Sequence, residues 1–258
     1  MDISVLNAAN QLRAAHENKT PCSPVRKLIG DHDLEKAYAV QNNNHQHLLA
    51  NGFKVIGKKI GLTSKAVQSQ LGVDQPDFGL LFDFMQVDNS AEIAFSDLMQ
   101  PKAEAEIAFV LKENLGGENT VDDIINAIDY AVLAIEIVGS RVENWDIRIT
   151  DTIADNAAAS HFVLGSQRVS ADADFLENCQ MHLSKNGIMS SEGSGKACLG
   201  NPLNAVVWLA NTMSRLGQPL LKGEIILSGA LGPMVPFEKG DVIEASIDGM
   251  GEVDFRCG

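Results

Sequence analysis

Three glutamates set in apolar sequence are the residues of this chain best suited to chemistry. Glu104 and Glu106 stand one residue apart in Pro101-Lys-Ala-Glu-Ala-Glu-Ile-Ala-Phe-Val-Leu111, and Glu136 interrupts Tyr130-Ala-Val-Leu-Ala-Ile-Glu-Ile-Val138. Both runs read as β-strands. Side chains alternate along a strand, so Glu104 and Glu106 share one face, which Ala108 and Val110 continue as apolar surface. A carboxylate in such surroundings is costly unless it is paired or bound to a cation. Neither run holds a basic residue apart from Lys102 at one edge. Three oxygen donors without a nearby thiol or imidazole suit a hard divalent cation, Mg²⁺ or Mn²⁺. The competing reading of Glu-x-Glu is a solvated strand face. The apolar continuation and the apolar neighbours of Glu136 weigh against it.

Two further residues can move protons. Lys58 and Lys59 are adjacent in a strand, so one of them must point inward if the sheet is covered on one side. Alternation with Val55 and Gly57 puts Lys59 on their face. An inward lysine can hold a substrate carboxylate or act as an acid or base; the alternative is a surface lysine that snorkels. Asp77 lies between Pro76 and Phe78 and is followed by Gly79. Poor solvation there would raise its pKa into a useful range, whereas a turn aspartate would bond its own backbone. Ser228-Gly-Ala-Leu-Gly-Pro233 follows an apolar strand, and its glycines let a ligand approach the backbone at Ser228 and Gly229. That segment is not a phosphate-binding loop, since no lysine follows and no helix is signalled. The G-x-S-x-G of a serine hydrolase is absent as well. His161 reads as a core-edge histidine without a chemical role, and Asn201-Pro-Leu-Asn204 is explained by helix capping.

The elements that must position these residues are legible in outline. Amphipathic helices are expected over 2–18 and 33–50, followed by a strand over 53–60. Thr63 is placed as the cap of a short helix ending at Gly72, and 74–79 as a turn or loop. Strands are expected near 91–95, 103–111, 130–138, 160–165, 179–185, 187–190, 224–229, 241–247 and 252–256. Lys185-Asn-Gly187 reads as a hairpin turn. Helices intervene at 121–128 and at 202–216, where Asn201 caps, Pro202 opens and Gly217 closes the helix. Asp151-Thr-Ile-Ala-Asp-Asn156 reads as a polar loop that caps a helix or closes a site. The order does not repeat as βαβ units. The pattern predicts an α+β protein: a mixed, largely antiparallel β-roll or barrel with helices outside it. Residues 1–52 would form an N-terminal helical section and 53–258 the β-roll catalytic domain.

Composition narrows the partners. The 258 residues include 34 acidic and 20 basic side chains, a net charge of −14. No basic patch suggests nucleic-acid binding, and no apolar run approaches the length needed to span a bilayer. An acidic chain repels anionic substrates, so a bound cation is the more useful if the substrate is an acid. Four scattered cysteines without a CxxC motif, and a start without a secretory pattern, predict reduced thiols in a cytoplasmic protein.

Several segments, in order, resemble a known group. Gly57-Lys-Lys-Ile-Gly-Leu-Thr63, Leu71-Gly-Val-Asp-Gln-Pro-Asp-Phe-Gly79, Pro101-Lys-Ala-Glu-Ala-Glu106, Glu136-Ile-Val-Gly-Ser-Arg141, Asp151-Thr-Ile-Ala-Asp-Asn156 and Ile225-Ile-Leu-Ser-Gly-Ala-Leu-Gly-Pro-Met234 look like the 2-keto-4-pentenoate hydratases of the fumarylacetoacetate hydrolase superfamily. The likeness spans essentially the whole chain. It implies a β-roll fold, a divalent metal on Glu104, Glu106 and Glu136, a catalytic lysine at Lys59 and an acid/base aspartate at Asp77. It also implies a 2-hydroxy- or 2-oxo-dienoic acid substrate that takes up water, and a homo-oligomer. A complex with a downstream aldolase or a sister decarboxylase belongs to the same expectation. One departure stands out. Where such hydratases often read Asp-Asn-Ala-Ser-Cys-Gly, this chain reads Asp155-Asn-Ala-Ala-Ala-Ser-His161, with Ala158 in place of the serine. The rival within the superfamily is 4-oxalocrotonate decarboxylase, in which the resemblance implies a nonacidic residue at the Asp77 position. A noncatalytic partner subunit is the rival of a different class.

Overall fold

The computed structural model describes residues 2–65, 68–69 and 73–258. The expected helix from Thr63 to Gly72 falls largely outside them. Helix α1 (Ile3–Asn18) starts where the Asp2 carboxylate accepts the Ser4 N–H, and it buries Val5, Ala8, Ala9, Leu12 and Ala15 at helical spacing. After the short α2 (Arg26–Ile29), α3 (Leu34–Ala50) is capped by Asp33 and buries Ala37, Val40, Gln41 and His45. The apolar faces of these helices share a core with Val142, Ile149 and Ile153 from later in the chain.

The strands, in chain order, are β1 (Val55–Gly61), β2 (Asp77–Phe82), β3 (Gln86–Val87), β4 (Glu92–Ile93), β5 (Lys102–Leu111), β6 (Ile128–Val138) and β7 (Ala159–Leu164). They continue as β8 (Gln180–Lys185), β9 (Ile188–Ser194), β10 (Ile225–Leu227), β11 (Val235–Pro236), β12 (Val242–Ile247) and β13 (Gly251–Cys257). One sheet has the order β2-β1-β10-β5-β6-β7-β3, with β11 also pairing β5; the other runs β4-β13-β12-β8-β9. Pairing is antiparallel except at β1/β10, β3/β7 and β4/β13. The mixed, largely antiparallel α+β architecture expected from the pattern is therefore the one found. Among the described residues, further helices of more than one turn are α4 (Val121–Ala127), α5 (Ile149–Ala154), α6 (Ala173–Asn178) and α7 (Pro202–Arg215). Asn201 caps α7 by accepting the Leu203 N–H, with Pro202 in its first turn. Among the described residues no helix is long and apolar enough to cross a membrane.

Strands β5 and β6 are covered on both faces, which is why they read as nearly continuous apolar runs. Ala105, Ile107 and Phe109 with Leu133, Ile135 and Ile137 pack into a core shared with the second sheet and α7. The opposite faces carry Ala108, Val132 and Ala134 into a smaller cluster with Leu81, Phe82, Phe162 and Leu227. The glutamates lie on this second side.

Two local expectations are corrected. The sequence pattern places Asp77 in a turn or loop, but it opens β2 and pairs with Gly61. The apolar residues that follow it are drawn into the sheet, and Gly79 is tolerated because Asn156 fills the space above it. The polar stretch Asp151–Asn156 reads as a loop in sequence, but its first part is α5. Its two aspartates are paired with arginines from outside the stretch. The Asp151 carboxylate accepts from Arg26 at 2.6 Å and from the Arg26 backbone N–H at 2.8 Å, a partner 125 residues away.

Candidate active site

The β5–β6 register sets the acidic cluster. Glu104 faces Glu136 across the ladder, and Glu106 faces Ala134 one side-chain repeat further along. The three residues each offer an oxygen within 4.8 Å of the others. Glu106 and Glu136 are fully buried, and Glu104 is partly so. The Glu106 Oε2 accepts the Gly229 N–H at 2.9 Å, while its Oε1 has no hydrogen-bond partner among the described residues. Neither Glu136 oxygen has a hydrogen-bonding partner there either; its closest positive group is the Lys59 ammonium, 3.2 Å from Oε1. Burial raises all three carboxyls. Glu136 is pushed to about 7 with Lys59 opposing the rise. Glu106 stands well above its ordinary value because the charges of Glu136 and Glu104 add to burial. Glu104 is also raised.

Three carboxyls crowded together with orphaned oxygens are a poor arrangement for a protein without an ion and a good one for an oxygen-loving divalent cation. The donor set therefore fits such an ion.

The two lysines of β1 part company. The Lys58 ammonium crosses to Glu224 at 2.6 Å. Lys59 turns to the glutamates, where its Nζ donates to the Ala157 carbonyl at 2.9 Å. Burial alone would lower its pKa, but Glu136, Glu104, Asp77 and Glu106 outweigh it and hold the ammonium above its ordinary range. Asp77 follows from the pairing of β2 with β1, and is 1% exposed. Neither of its oxygens has a hydrogen-bond partner among the described residues. Burial raises its carboxyl to about 6, against the pull of Lys59. Gly61 makes this placement feasible, because a Cβ there would lie 2.2 Å from Asp77 Oδ1 and 3.5 Å from Lys59 Nζ.

Ser228 and Gly229 lie just past β10. The buried Ser228 hangs on β5 through its N–H to the Ile107 carbonyl at 3.1 Å, and its own carbonyl accepts from the Cys198 thiol at 3.1 Å. Gly229 has φ +108°, and a side chain there would run into Thr63. Its N–H is the one that holds Glu106, so a backbone conformation fit for glycine fixes one of the acidic groups.

Lys59, Asp77, Glu104, Glu106 and Glu136 thus share one side of the first sheet, and the Gly229 N–H reaches that cluster through Glu106. The structure adds residues that strand and helix patterns did not single out. Asn156, Ala157 and Ala158 form a left-handed run behind Lys59; Gln41 of α3 reaches the Phe78 carbonyl nearby, and His45 of α3 reaches the Asn156 side-chain amide. The only sequence signal for them was polarity in a buried helical stripe and an asparagine, the residue type most tolerant of such a backbone. Ala158, standing where a serine is common in the resembling group, is 7% exposed, and its carbonyl accepts the Gly139 N–H. Ser160 does not substitute for it. Its hydroxyl is bonded to His161 Nδ1 at 2.9 Å, and both residues line a separate cavity of about 440 Å³ between α1, α3 and the start of β7. Arg141 and Asp155 also border that cavity, where their ion pair at 3.2 Å braces the backbone.

The chain resembles known proteins along nearly its whole length. The family described as fumarylacetoacetate (FAA) hydrolase C-terminal matches residues 39–257. A "TodF product hydratase" of Pseudomonas putida is 54% identical over 97% of this chain and 94% of its own length. A 2-keto-4-pentenoate hydratase of Paraburkholderia xenovorans is 51% identical over 95% of this chain and 92% of its own. Among solved structures, the 4-oxalocrotonate decarboxylase of Pseudomonas putida G7, complexed with magnesium and adipate, superimposes with a TM-score of 0.94. It is 34% identical, and the match covers 98% of this chain and 97% of that one. With an acidic oxygen cluster on the same fold and about half of its residues shared with hydratases along their whole length, the chain belongs to the fumarylacetoacetate hydrolase family, among its 2-keto-4-pentenoate hydratases.

Proposed function

We propose that the chain is a hydro-lyase that adds water to 2-hydroxypenta-2,4-dienoate, the enol of 2-oxopent-4-enoate, to give 4-hydroxy-2-oxopentanoate in the breakdown of aromatic compounds. The observation that carries this reading is the placement of an unpaired buried Asp77 beside Lys59 and the three glutamates. Glu104, Glu106 and Glu136 would hold Mg²⁺ or Mn²⁺. When bound, such an ion supplies Lewis acidity toward the 2-oxo acid end of the substrate and offsets the carboxylate charge.

The chain's own groups have separable tasks. The Lys59 ammonium donates one N–H to the Ala157 carbonyl and stands in ion-pair range of Glu136, which leaves it donor capacity for an anionic substrate. Asp77, held at about 6, exchanges a proton readily near neutrality. In this reading it serves the protonation of the far carbon as the dienol becomes a ketone, and takes a proton from the water that adds at C4. Ser228 and Gly229 would act on the bound acid through Glu106, whose Oε2 accepts the Gly229 N–H. Apolar Ala108, Val132 and Leu227 on the same face exclude bulk water from the hydrocarbon end.

The solved decarboxylase shares this backbone, so the fold alone does not separate addition of water from loss of CO₂. Higher identity to hydratases and the acidic Asp77 favour hydration. The test is the ultraviolet decay of the dienol with Mg²⁺ and then with excess EDTA, together with the product mass. Gain of one water supports hydration. Loss of CO₂ from 4-oxalocrotonate, with no water added to the dienol, overturns it. An unchanged dienol makes the chain a partner subunit. We also propose a homo-oligomer, in keeping with its family, open to association with a downstream aldolase or a sister decarboxylase. A cytoplasmic setting is supported by four cysteines that are all unpaired.

A further inference from the structure

The ammonium of Lys59 is fixed from outside its own sheet. It donates to the carbonyl of Ala157, and Ala157 sits in the middle of an unusual segment. Asn156, Ala157 and Ala158 have φ of +56°, +52° and +58°. Residues other than glycine hold this conformation at roughly 1–2 kcal/mol each, so the segment needs an external hold. Asn156 provides one. Its Oδ1 accepts the Leu80 N–H at 2.8 Å and its Nδ2 donates to the Leu80 carbonyl at 3.0 Å. The amide therefore occupies the free edge of β2 as another strand would. Gly79 makes room, since a Cβ there would lie 2.3 Å from the Asn156 carbonyl.

A second hold comes from the N-terminal helices. His45 of α3 is 5% exposed, and its Nε2 lies 2.8 Å from Asn156 Oδ1. Leu80 leaves no ambiguity about the amide: Oδ1 accepts, so His45 must donate from Nε2–H. One turn earlier, Gln41 donates to the Phe78 carbonyl at 2.8 Å and to the Ile153 carbonyl at 3.0 Å. Helix α3 is thus bonded to the residue after Asp77 and to both ends of the approach to Ala157.

We infer that His45 and Asn156 are positioning residues for the active site: through the Asn156 amide, α3 sets where the Ala157 carbonyl stands and hence where the Lys59 ammonium points. This rests on the proposed role of Lys59. The physical need is specific. Lysine has a long flexible stem, and four carboxyls lie near this one. Without the Ala157 carbonyl its ammonium would collapse onto the glutamates, losing the donor left for substrate and competing with the cation. A neutral carbonyl at a fixed place keeps it at the edge of the acidic cluster.

The test uses the full-length chain with Mg²⁺ for turnover and Mn²⁺ for binding, in wild type and in His45→Phe, His45→Gln, Asn156→Gly and Lys59→Met. Glycine at 156 accepts the positive φ, so that variant removes the amide clamp without adding backbone strain. Glutamine at 45 can place an N–H near the former Nε2. The expected result is a kcat lower by roughly 10- to 100-fold in His45→Phe and Asn156→Gly, the scale of a misplacement near 1 Å. His45→Gln should recover most of it, and the melting temperature of His45→Gln should not explain the difference from His45→Phe. Wild-type kcat in folded His45→Phe and Asn156→Gly overturns the inference, as does an equal loss in His45→Gln and His45→Phe. If His45→Phe does not fold, Asn156→Gly decides alone. Lys59→Met separates the two levels: an active Lys59→Met defeats the underlying reading of Lys59, whereas an inactive Lys59→Met beside fully active His45 and Asn156 variants defeats only the positioning role.

Discussion

Glu104 and Glu136 stand directly opposite each other in the β5–β6 ladder, two like charges in the one arrangement that cross-strand pairing ordinarily penalises. With Glu106 beside it, one oxygen of each residue lying within 4.8 Å of the others, the pair has the donor set that the proposed divalent ion would need. Glu106→Gln tests this with two readouts. Turnover should drop by at least about 100-fold, as befits losing several kcal/mol of charge stabilisation. The metal-free variant should melt higher than metal-free wild type, because one member of a repelling buried set has been neutralised. Undiminished Mn²⁺ binding in Glu106→Gln, by electron paramagnetic resonance or calorimetry, would remove it from the ligand set.

Asp77→Asn should slow hydration by about 10²- to 10⁴-fold, the usual worth of a positioned acid or base, while leaving Mn²⁺ affinity within a few-fold. The same substitution has a stability signature. The Asp77 carboxyl titrates near 6 in the folded chain and near 3.8 unfolded, so between those values the folded state holds more protons. Its effect on stability is therefore unfavourable as pH rises from 3.8 through 6, and the penalty is complete above that. Asp77→Asn should be more stable than wild type at pH 7.5 by about 1–3 kcal/mol, and the gain should vanish near pH 3.5. Urea unfolding of the metal-free chain at both values measures it; equal stability at pH 7.5 would contradict the raised carboxyl.

Gly61→Ala is the smallest change that should disturb the site without touching a polar atom. The added Cβ falls 2.2 Å from Asp77 Oδ1, inside any permissible contact. Either the Asp77 side chain swings away or β1 and β2 separate locally. We expect at least about tenfold lower kcat and a loss of roughly 1–3 kcal/mol from overpacking. A variant with wild-type rate and stability would show that Asp77 is not held where the site needs it.

His45 makes the fold acid-sensitive. Burial holds its imidazole at about 4, against 6.5 for a free histidine. Its contribution is fully present above 6.5 and is lost as pH falls from there through 4, because the unfolded chain takes up the proton first. At pH 5 the loss approaches about 2 kcal/mol. His45→Gln has nothing to titrate. The stability difference between wild type and His45→Gln, from urea midpoints at pH 7.5 and pH 5, should therefore shift in favour of the variant as pH drops. A difference independent of pH would mean that His45 is charged or solvated in the folded chain.

What could be learned from residue order alone was local and periodic. Alternation put Glu104 and Glu106 on one face and Lys59 inward, and an apolar setting marked Glu136. The helix cap at Asn201 and the outline of the strands followed from short-range chemistry. Period and capping concern neighbours within a few residues, so they are written in the chain itself. The register that sets Glu104 against Glu136, and the strand that carries Asp77 to Gly61, depend on which distant segments pair, and pairing is decided by burial of the whole sheet. The same holds for Asp151, which reads as a loop residue until Arg26 arrives to neutralise it. It holds most of all for Asn156 and His45, 111 residues apart. Nothing near either residue foretells that an amide will close the edge of β2 and a helical imidazole will lock it there. A backbone bent into a left-handed run is stable only when the complete structure surrounds it, and only tertiary packing supplies that enclosure.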